Sequence, residues 1–399
     1  MCQIRRAMDL LFTAAQDEFR AEVRNWLEAK VPSAAKGTGP LASLDTAEGF
    51  EAHRVWERTM YDDRWSVVAW PEEFGGRGVG LMEWLVFEEE YYRAGAPTRV
   101  SQNGIFLLAP TLFEFGTAEQ QARFLPSMAS GETIWCQGWS EPDAGSDLAG
   151  IRSRAERGPG GDWVLNGQKT WCSRGAFAHW LFGLFRSDPD AEKHRGLTYF
   201  LVPMDAPGVT VRPIGQLDGE TGFAEVFFED VEVPEEQVLG TVDQGWSVAM
   251  ATAGSERGLS LRSPARYTEA AGRLVSLYRQ RAGADPAAAG RVADAVARAV
   301  IDAEAYKLHT YWTASRVLDG QRVGPEASMN KVFWSETDLA IYDAALALLG
   351  EEAELLGDDG RPGPWLDGFL FALAGPIYAG TNEIQRNVVA ERVLGLPRV

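Results

Sequence analysis

The chain has 399 residues, which is too long for one compact domain and predicts two or three. Hydrophobic residues make up 45% and charged residues 24%, so the chain can bury a large core and is not intrinsically disordered. Its 38 basic and 57 acidic residues give a net charge of −19, which argues against nucleic acid and anionic membrane surfaces as partners.

The cysteines and histidines predict neither a disulfide framework nor a metal site. Three cysteines without CxxC spacing indicate a reducing cytoplasm, and the four histidines share no metal-ligand spacing. Asp9 interrupts the short N-terminal apolar stretch, so no signal peptide is predicted. The apolar segment 369–380 contains Pro376 and falls short of the ~20 residues that a membrane span needs.

Residues 1–130 have a helical pattern. Phe19, Val23 and Leu27 continue an apolar face that begins at Leu11, and they predict one amphipathic helix that starts near Met8. A second helix is predicted over the sequence GTAEQQARFLPSMASG. Loops at 35–40 and 70–76, rich in glycine and proline, punctuate this segment.

Residues 131–240 have the pattern of strands. Five short runs of β-branched and aromatic residues are separated by Gly, Pro and Asp: DWVLNGQKTWC, HWLFGLFRSD, LTYFLVPM, GVTVRPI and AEVFFEDVEV. Several short strands without intervening helices predict an antiparallel barrel or sandwich.

Residues 241–399 return to helices, which are longer than those of the first segment. Asp285 and Pro286 form a helix start, with Asp as the N-cap and Pro in the first turn. Val292, Val296 and Val300 are four residues apart, and we expect the buried stripe to continue through three further apolar residues: Ile301, Leu308 and Trp312. Long helices joined by short loops predict a bundle.

The segment 135–150, WCQGWSEPDAGSDLAG, carries the strongest indication of chemistry. It places Ser140, Glu141, Ser146 and Asp147 among three glycines and a proline. Such a loop exposes backbone N–H groups together with short hydroxyls, which suits the phosphate and carbonyl oxygens of a cofactor. On composition alone an ordinary turn-rich loop remains the alternative.

The sequence GWSEPDAGSDLAG resembles the first signature of the acyl-CoA dehydrogenase family of flavoproteins. Further segments resemble the family in the same order along nearly the whole chain: WPEEFGGRG, GTAEQQARFLP, KTWCS, EVFFEDVEVPEEQVLG and IYAGTNEIQRNVVAERVLG. The resemblance implies an α+β fold in which an N-terminal helical domain (1–130) is followed by an antiparallel β-barrel (131–240) and a C-terminal four-helix bundle (241–399).

The resemblance also implies a reaction and its cofactor, FAD. A base removes the proton α to the thioester of an acyl-CoA substrate, and hydride leaves the β carbon for flavin N5. The α proton is a poor acid, so the reaction requires a desolvated base and preorganised donors for the enolate oxygen. The expected electron acceptor is an electron-transfer flavoprotein.

The resemblance assigns five residues to the flavin ring. Gln137, Trp139 and Ser140 contact its pyrimidine side, although the family usually has a small aliphatic residue where Trp139 stands. Trp171 packs against the ring, the alternative being a buried residue of the barrel core. Ser173 offers its hydroxyl near N5.

Five further positions follow from the same resemblance. Ser146 is expected to form a hydrogen bond near the pyrophosphate or the pantetheine of the substrate. Thr381 and Glu383 are expected at the ribityl and phosphate region of FAD. The Ala379–Gly380 loop presents a backbone N–H, that of Ala379, to the thioester carbonyl.

The catalytic base departs from the commonest family pattern. In many members a glutamate immediately precedes the Gly-Thr pair, whereas this chain has Ala379. Some members carry the base earlier, in a Glu-Arg pair, and Glu256 and Arg257 stand at the matching place, flanked by Gly254 and Gly258. Glu256 is therefore the predicted base and Arg257 a substrate contact, against the alternatives of a solvated surface carboxylate and an ion pair.

The segments that bind the adenine end of FAD in a neighbouring subunit of the family are not intact. SLYRQRAGADP (276–286) and ALALLGEEAEL (345–355) stand in their places, and the second brings three glutamates toward a pyrophosphate. This predicts an α2β2 hetero-oligomer in which another chain completes the site, with a homo-oligomer as the alternative. A non-catalytic subunit and a flavin oxidase of the same fold, including one acting on a non-thioester substrate, are the alternative functions.

Overall fold

The computed structural model describes residues 12–32, 44, 46–257, 263–321, 323–357 and 360–398, although the side chains of 255–257 and 288 lie outside the description. The chain forms two compact units. The sheet unit comprises Gly37–Val79 and Pro97–Glu256, and the bundle unit comprises Met1–Lys36, Gly80–Ala96 and Arg257–Val399. Compactness therefore groups two N-terminal stretches with the C-terminal helices.

Five α-helices lie in the first part of the described chain: α1 (Ala14–Lys30), α2 (Ala47–Asp62), α3 (Leu81–Arg93), α4 (Ala109–Phe115) and α5 (Ala118–Ala129). The first helix starts at Ala14, later than the predicted start at Met8. Thr13 and Gln16 form a reciprocal capping box, with each side chain accepting the other's backbone N–H, and this fixes the helix start. Residues 8–11 lie outside the description, and the predicted helix at α5 is confirmed.

The sheet unit contains seven strands: β1 (Trp135–Gly138), β2 (Arg154–Arg157), β3 (Trp163–Ser173), β4 (Trp180–Arg186), β5 (Leu197–Pro203), β6 (Val209–Ile214) and β7 (Phe223–Val233). All five predicted strands are confirmed, whereas β1 and β2 were not predicted. The sheet is mixed, because β1 and β2 both pair with β4 in parallel. Parallel pairing needs a crossover of a dozen or more residues, and the chain between β1 and β4 is long enough to provide it.

The remaining helices are α6 (Gly245–Arg257), α7 (Pro264–Ala284), α8 (Pro286–Leu318), α9 (Ala327–Leu349), α10 (Pro364–Ala372) and α11 (Asn382–Val388). The predicted start of α8 is confirmed, since the Asp285 carboxylate accepts the N–H of Ala287 at 3.1 Å. The long helices α7, α8 and α9 pack around a shared apolar core that includes Tyr267, Tyr306 and Trp334.

The predicted continuation of the buried stripe on α8 was wrong. Ile301, Leu308 and Trp312 are 65%, 42% and 42% exposed. The buried face of the helix instead passes through residues spaced three or four apart, most of them small: Val296, Ala299, Ala303, Tyr306, Thr310 and Ala314. An apolar face of α8 is therefore left outside the core of this chain.

Ion pairs connect α1 and α3 to α8 inside the bundle unit. The Glu89 carboxylate of α3 accepts hydrogen bonds from Arg20 at 2.7 Å and from the Tyr311 hydroxyl at 2.7 Å, and Lys307 lies 3.0 Å away. These bonds explain why the two helices group with the C-terminal helices. Of the helices in the described ranges, none is both long and apolar enough to cross a membrane.

Candidate functional site

Most of the sequence-predicted site residues lie on or beside two loops, one in each compact unit, whereas Glu256 and Arg257 lie in α6. In the sheet unit, the loop that follows β1 is fixed to β3 by backbone and side-chain bonds. The Thr170 N–H donates to the Ser140 carbonyl at 2.9 Å, and the Lys169 ammonium donates to the Glu141 carboxylate at 2.7 Å. The segments WCQGWSEPDAGSDLAG and KTWCS, singled out separately in the sequence, are thereby joined.

Lys169 and Glu141 form a buried ion pair, with side chains 0% and 8% exposed. Glu141 also accepts the N–H groups of Arg152 and Ser153 at 2.6 and 2.9 Å. Burial acts to raise the pKa of Glu141, but the charge and hydrogen bond of Lys169 and these N–H groups outweigh it and hold the pKa below its ordinary value. Burial lowers the pKa of Lys169, partly offset by Glu141.

Neither Lys169 nor Glu141 is assigned a specific role by the sequence pattern. The available signal was a lysine near the centre of a predicted strand, where a buried charge is stable only with a partner. The pair fixes the position of the loop that carries Trp139 and Ser140.

Two buried donors on this loop lack an acceptor within the described part of the chain: Gln137 Nε2 and Trp139 Nε1. Buried donors are nearly always paired in folded proteins, so two orphaned ones side by side indicate a ligand with acceptor atoms. The pyrimidine side of a flavin presents carbonyl oxygens and ring nitrogens, and the residues present suit it. The hydroxyls of Ser140 and Ser173 also make no hydrogen bond to a described residue and are available to the same ligand.

Trp171 does not belong to the barrel core. Its side chain is 58% exposed, and its φ of 58° places a bulky residue in the left-handed region. The pairing of β3 with β7 shifts register between Lys169 and Cys172, and this bulge turns Trp171 outward. Cys172 faces inward instead, and burial raises the pKa of its thiol to about 12, so it is not a reactive nucleophile.

In the bundle unit, the Gly-Thr loop lies between α10 and α11. Ala379 and Gly380 both have left-handed backbone angles, with φ of 56° and 79°. The Gln385 side chain donates to the carbonyls of Ala379 and Gly380 at 3.0 and 3.4 Å. No described residue accepts the N–H of Ala379, Gly380 or Thr381. We call these three N–H groups the donor strip.

Thr381 is the N-cap of α11, since its hydroxyl oxygen accepts the Ile384 N–H at 3.2 Å. Glu383 is exposed, and hydrogen bonds from its own backbone N–H and from Thr381 lower the pKa of its carboxyl. Both side chains reach the start of α11, close in sequence to the donor strip.

The remaining predicted residues are less closely defined. Ser146 is exposed on the loop after β1. Glu256 and Arg257 lie in α6 by their backbone, but their side chains lie outside the described residues, and so does Gly258. Within the described ranges, no group of three or more His, Cys, Asp or Glu residues could hold a metal ion.

Three family models match the chain in succession. They describe the N-terminal, middle and C-terminal domains of acyl-CoA dehydrogenases and match residues 13–132, 136–231 and 243–394. Among curated relatives, acyl-CoA dehydrogenase IpdE1 of Mycobacterium tuberculosis is 40% identical over 388 residues, covering 96% of this chain and 98% of the relative.

Solved structures agree. The ChsE4-ChsE5 complex from Mycobacterium tuberculosis has a chain with a TM-score of 0.82 at 31% identity, covering 98% of this chain and 100% of that chain. The Tcur3481-Tcur3483 steroid ACAD also has a TM-score of 0.82, at 27% identity, with 98% of this chain and 100% of that chain covered. Helical segments, a mixed sheet, a loop with buried unpartnered donors in the described part of the chain, and three successive family matches lead to one conclusion: this chain belongs to the acyl-CoA dehydrogenase family of FAD-dependent flavin oxidoreductases.

Proposed function

We propose that this chain catalyses the α,β-dehydrogenation of an acyl-CoA thioester, with Glu256 as the base that removes the α proton. The observation that carries the proposal is the donor strip. Three successive backbone N–H groups in a strained left-handed turn have no acceptor in the described part of the chain, as a site for a developing negative charge requires.

The donor strip is suited to the difficult step of the reaction, which is removal of the α proton. Removing a proton α to a thioester places negative charge on the carbonyl oxygen, and preorganised N–H donors stabilise that charge more than they stabilise the neutral ground state. When bound, FAD accepts the hydride from the β carbon. The residues of this chain bind and orient the substrate, exclude water and move the proton.

Glu256 is the proposed base because the usual position holds an alanine. The methyl group of Ala379 cannot accept a proton, while its N–H remains available for the thioester oxygen. Glu256 lies in α6, at the place where some family members carry the base. A carboxylate in a desolvated site has a raised pKa and becomes an effective base near neutral pH.

The remaining contacts follow from the hydrogen-bonding groups of the described residues. The orphaned donors of Gln137 and Trp139, with the hydroxyls of Ser140 and Ser173, suit the polar edge of the flavin, and exposed Trp171 offers a face to its ring. Thr381 and the donor-strip residue Gly380 lie on the Gly-Thr loop of the bundle unit. We assign Ser146 and Arg257 to the CoA portion of the substrate.

Glu383 is better suited to the ribityl chain than to a phosphate. Its lowered pKa keeps it ionised, and an ionised carboxylate accepts hydrogen bonds from hydroxyls but repels phosphate oxygens. We therefore narrow the expected contact of Glu383 to the ribityl hydroxyls.

The base is tested with Glu256→Gln, which keeps the shape of the side chain but cannot accept the proton. Loss of a general base costs about 10²–10⁴ in rate, so the variant should bind acyl-CoA and fail to bleach the flavin. Glu18→Gln, at an exposed glutamate on α1, is the matched control. Normal turnover by Glu256→Gln contradicts the assignment, and partial recovery in Glu256→Gln combined with Ala379→Glu supports a shared base function.

We also propose a hetero-oligomer of α2β2 type, in which a second chain completes the adenine end of the FAD site. In the segment that replaces the family's pyrophosphate arginine, Arg281 is already engaged. Its guanidinium donates to the Glu352 carboxylate at 2.8 Å, and Glu351 and Glu354 add further negative charge to the same turn. A pyrophosphate is repelled by such a surface.

The apolar face of α8 supports an oligomer of either type. Ile301, Leu308 and Trp312 are exposed there, and Met329 and Phe333 are exposed on α9. Exposed apolar patches of this kind mark protein interfaces. The similar structures ChsE4-ChsE5 and Tcur3481-Tcur3483 are each named for two components, and this similarity favours the hetero-oligomer.

The measurement that tests the assembly is the FAD content per chain after purification alone. About one flavin per chain contradicts the need for a partner and indicates a homo-oligomer. Little flavin, restored when a partner chain is co-expressed, supports the hetero-oligomer. No flavin reduction by acyl-CoA even with the partner indicates a non-catalytic subunit, and rapid peroxide production indicates an oxidase.

Four further assignments remain proposals. The substrate is a CoA thioester from fatty acid or steroid side-chain breakdown, for which the similarity to a steroid ACAD is the support. An electron-transfer flavoprotein is the electron acceptor.

The domains span 1–130, 131–240 and 241–399. The buried free thiols Cys136 and Cys172 agree with a reducing cytoplasm as the location.

A further inference from the structure

Gln385 is a fully buried glutamine in the first turns of α11, and its side chain reaches back to the Gly-Thr loop. Its Nε2 donates to the Ala379 carbonyl at 3.0 Å and to the Gly380 carbonyl at 3.4 Å, while no described residue donates to its Oε1. Burying an amide is costly unless its hydrogen bonds are made, so the two carbonyl bonds fix the side chain in place.

These two bonds determine the direction of the N–H groups that follow. In a planar trans peptide the N–H points opposite to the carbonyl of the same peptide. Because Gln385 holds the carbonyls of Ala379 and Gly380, the N–H groups of Gly380 and Thr381 point away from it. The left-handed angles of Ala379 and Gly380 persist only where the surroundings over-determine them, and Gln385 supplies two of the constraints.

The loop has a second attachment that is independent of Gln385. The Asn382 N–H donates to the Pro376 carbonyl at 2.8 Å, and the Asn382 side chain accepts from Lys331 at 2.8 Å and from Ser335 at 3.1 Å. Removing the Gln385 amide therefore loosens the peptides of the donor strip while the start of α11 stays anchored.

We infer that Gln385 is a positioning residue for the reaction, which aims the Gly380 and Thr381 N–H groups of the donor strip at the thioester oxygen. This inference rests on the proposed function and names the residue that preorganises its oxyanion site. Gln385 touches neither substrate nor cofactor in this role; it acts through the peptides of Ala379 and Gly380. Removing one oxyanion donor outright costs about 10²–10³ in kcat, so loosening the strip should cost about 10- to 100-fold.

Gln385→Leu removes both carbonyl bonds at similar side-chain volume. Gln120→Leu is the matched control, because the Gln120 amide is also buried and donates to two carbonyls, those of Glu236 and Val238, at 2.9 and 2.8 Å. Gln120 lies in the sheet unit and is not part of the donor strip. Gln120→Leu also loses the bond in which the Gln120 Oε1 accepts the Thr117 N–H at 3.0 Å. A purely structural role therefore predicts a consequence at least as large for Gln120→Leu as for Gln385→Leu.

The readout is calorimetric binding of two CoA ligands to the assembled, FAD-loaded protein. A 3-ketoacyl-CoA ionises at its α carbon and presents an enolate oxygen, whereas the matching S-alkyl-CoA thioether lacks the carbonyl. Gln385→Leu should lower the affinity for the 3-ketoacyl-CoA about tenfold and change the affinity for the thioether less than about twofold. In turnover, kcat should fall with KM nearly unchanged, because the lost interaction acts mainly in the transition state.

Gln385→Glu adds a rescue. The ionised carboxylate cannot donate and repels both carbonyls, but the protonated acid donates one hydrogen bond. Relative to the natural protein at each pH, its affinity for the 3-ketoacyl-CoA should therefore recover as the pH falls, and that of Gln385→Leu should not.

The positioning role is overturned if Gln385→Leu loses affinity equally for both ligands. It is also overturned if Gln120→Leu shows the same selective loss of affinity for the 3-ketoacyl-CoA. Retained discrimination in Gln385→Leu overturns it too, while the proposed function stands. If the natural protein binds the 3-ketoacyl-CoA no more tightly than the thioether, the proposed function itself fails.

Discussion

The loop after β1 and the Gly-Thr loop both carry predicted site residues, but they are fixed by opposite means. A buried ion pair, Lys169 with Glu141, holds the first loop to β3. Buried neutral amides, Gln385 and Asn382, hold the second. A buried charge that loses its partner destabilises the fold far more than a buried amide that loses its partner. The two loops should therefore respond differently to side-chain substitution, to pH and to removal of a strained backbone angle.

The largest effect is expected from Lys169→Met. The variant leaves the Glu141 carboxylate buried without its counter-ion and should lower the free energy of unfolding by about 3–5 kcal/mol. Urea denaturation measures the change. The double variant with Glu141→Gln should recover a large part of the loss, and strictly additive losses would contradict the coupling of the pair.

A smaller effect is expected from Asn382→Leu in the bundle unit. It removes the oxygen that accepts hydrogen bonds from Lys331 and Ser335, which should cost about 2–3 kcal/mol because one of these donors is charged. Asn382→Asp keeps an acceptor of the same shape and is the matched control. The comparison between the loops fails if Asn382→Leu costs more than Lys169→Met under the same conditions.

The third prediction concerns acidic pH, at which the loop after β1 should lose stability and the Gly-Thr loop should not. The folded pKa of Glu141 lies below its ordinary value of 4.5, so its stabilisation is present above that value and is lost as the pH falls through the folded pKa. Glu141→Gln should flatten the fall in melting temperature over this acidic range. Asn382→Leu and Gln385→Leu should leave the slope unchanged, because neither the amide that is removed nor the leucine that replaces it titrates. An equal change in slope would contradict the distinction.

The smallest effect concerns the strained turn. Ala379→Gly relieves a left-handed backbone angle that costs an alanine about 1–2 kcal/mol, and after the greater entropy of glycine in the unfolded chain a net gain of up to about 1 kcal/mol should remain. Ala297→Gly, at an exposed position within α8, should instead lose about 0.5–1 kcal/mol. Thermal unfolding compares the two, and the same sign in both would show that the turn is unstrained.

The local pattern of the sequence determined most of the elements. Alternating β-branched and aromatic residues gave β3 to β7, and Asp285 with Pro286 gave the start of α8, because strand pattern and helix capping are short-range effects. The family motifs likewise placed the candidate residues on two loops, and the loss of the usual base at Ala379 was readable directly.

The tertiary structure decided what depends on partners distant in the chain. The parallel pairing of β1 with β4, the exposed side of α8 and the Lys169–Glu141 pair each require contacts between segments that no local pattern relates. The direction of the Gly380 and Thr381 N–H groups depends on Gln385, whose side chain reaches back from α11 to the carbonyls of Ala379 and Gly380. Spacing along the chain fixes which residues are available; the orientation of a peptide N–H is fixed only when its carbonyl finds a partner in three dimensions.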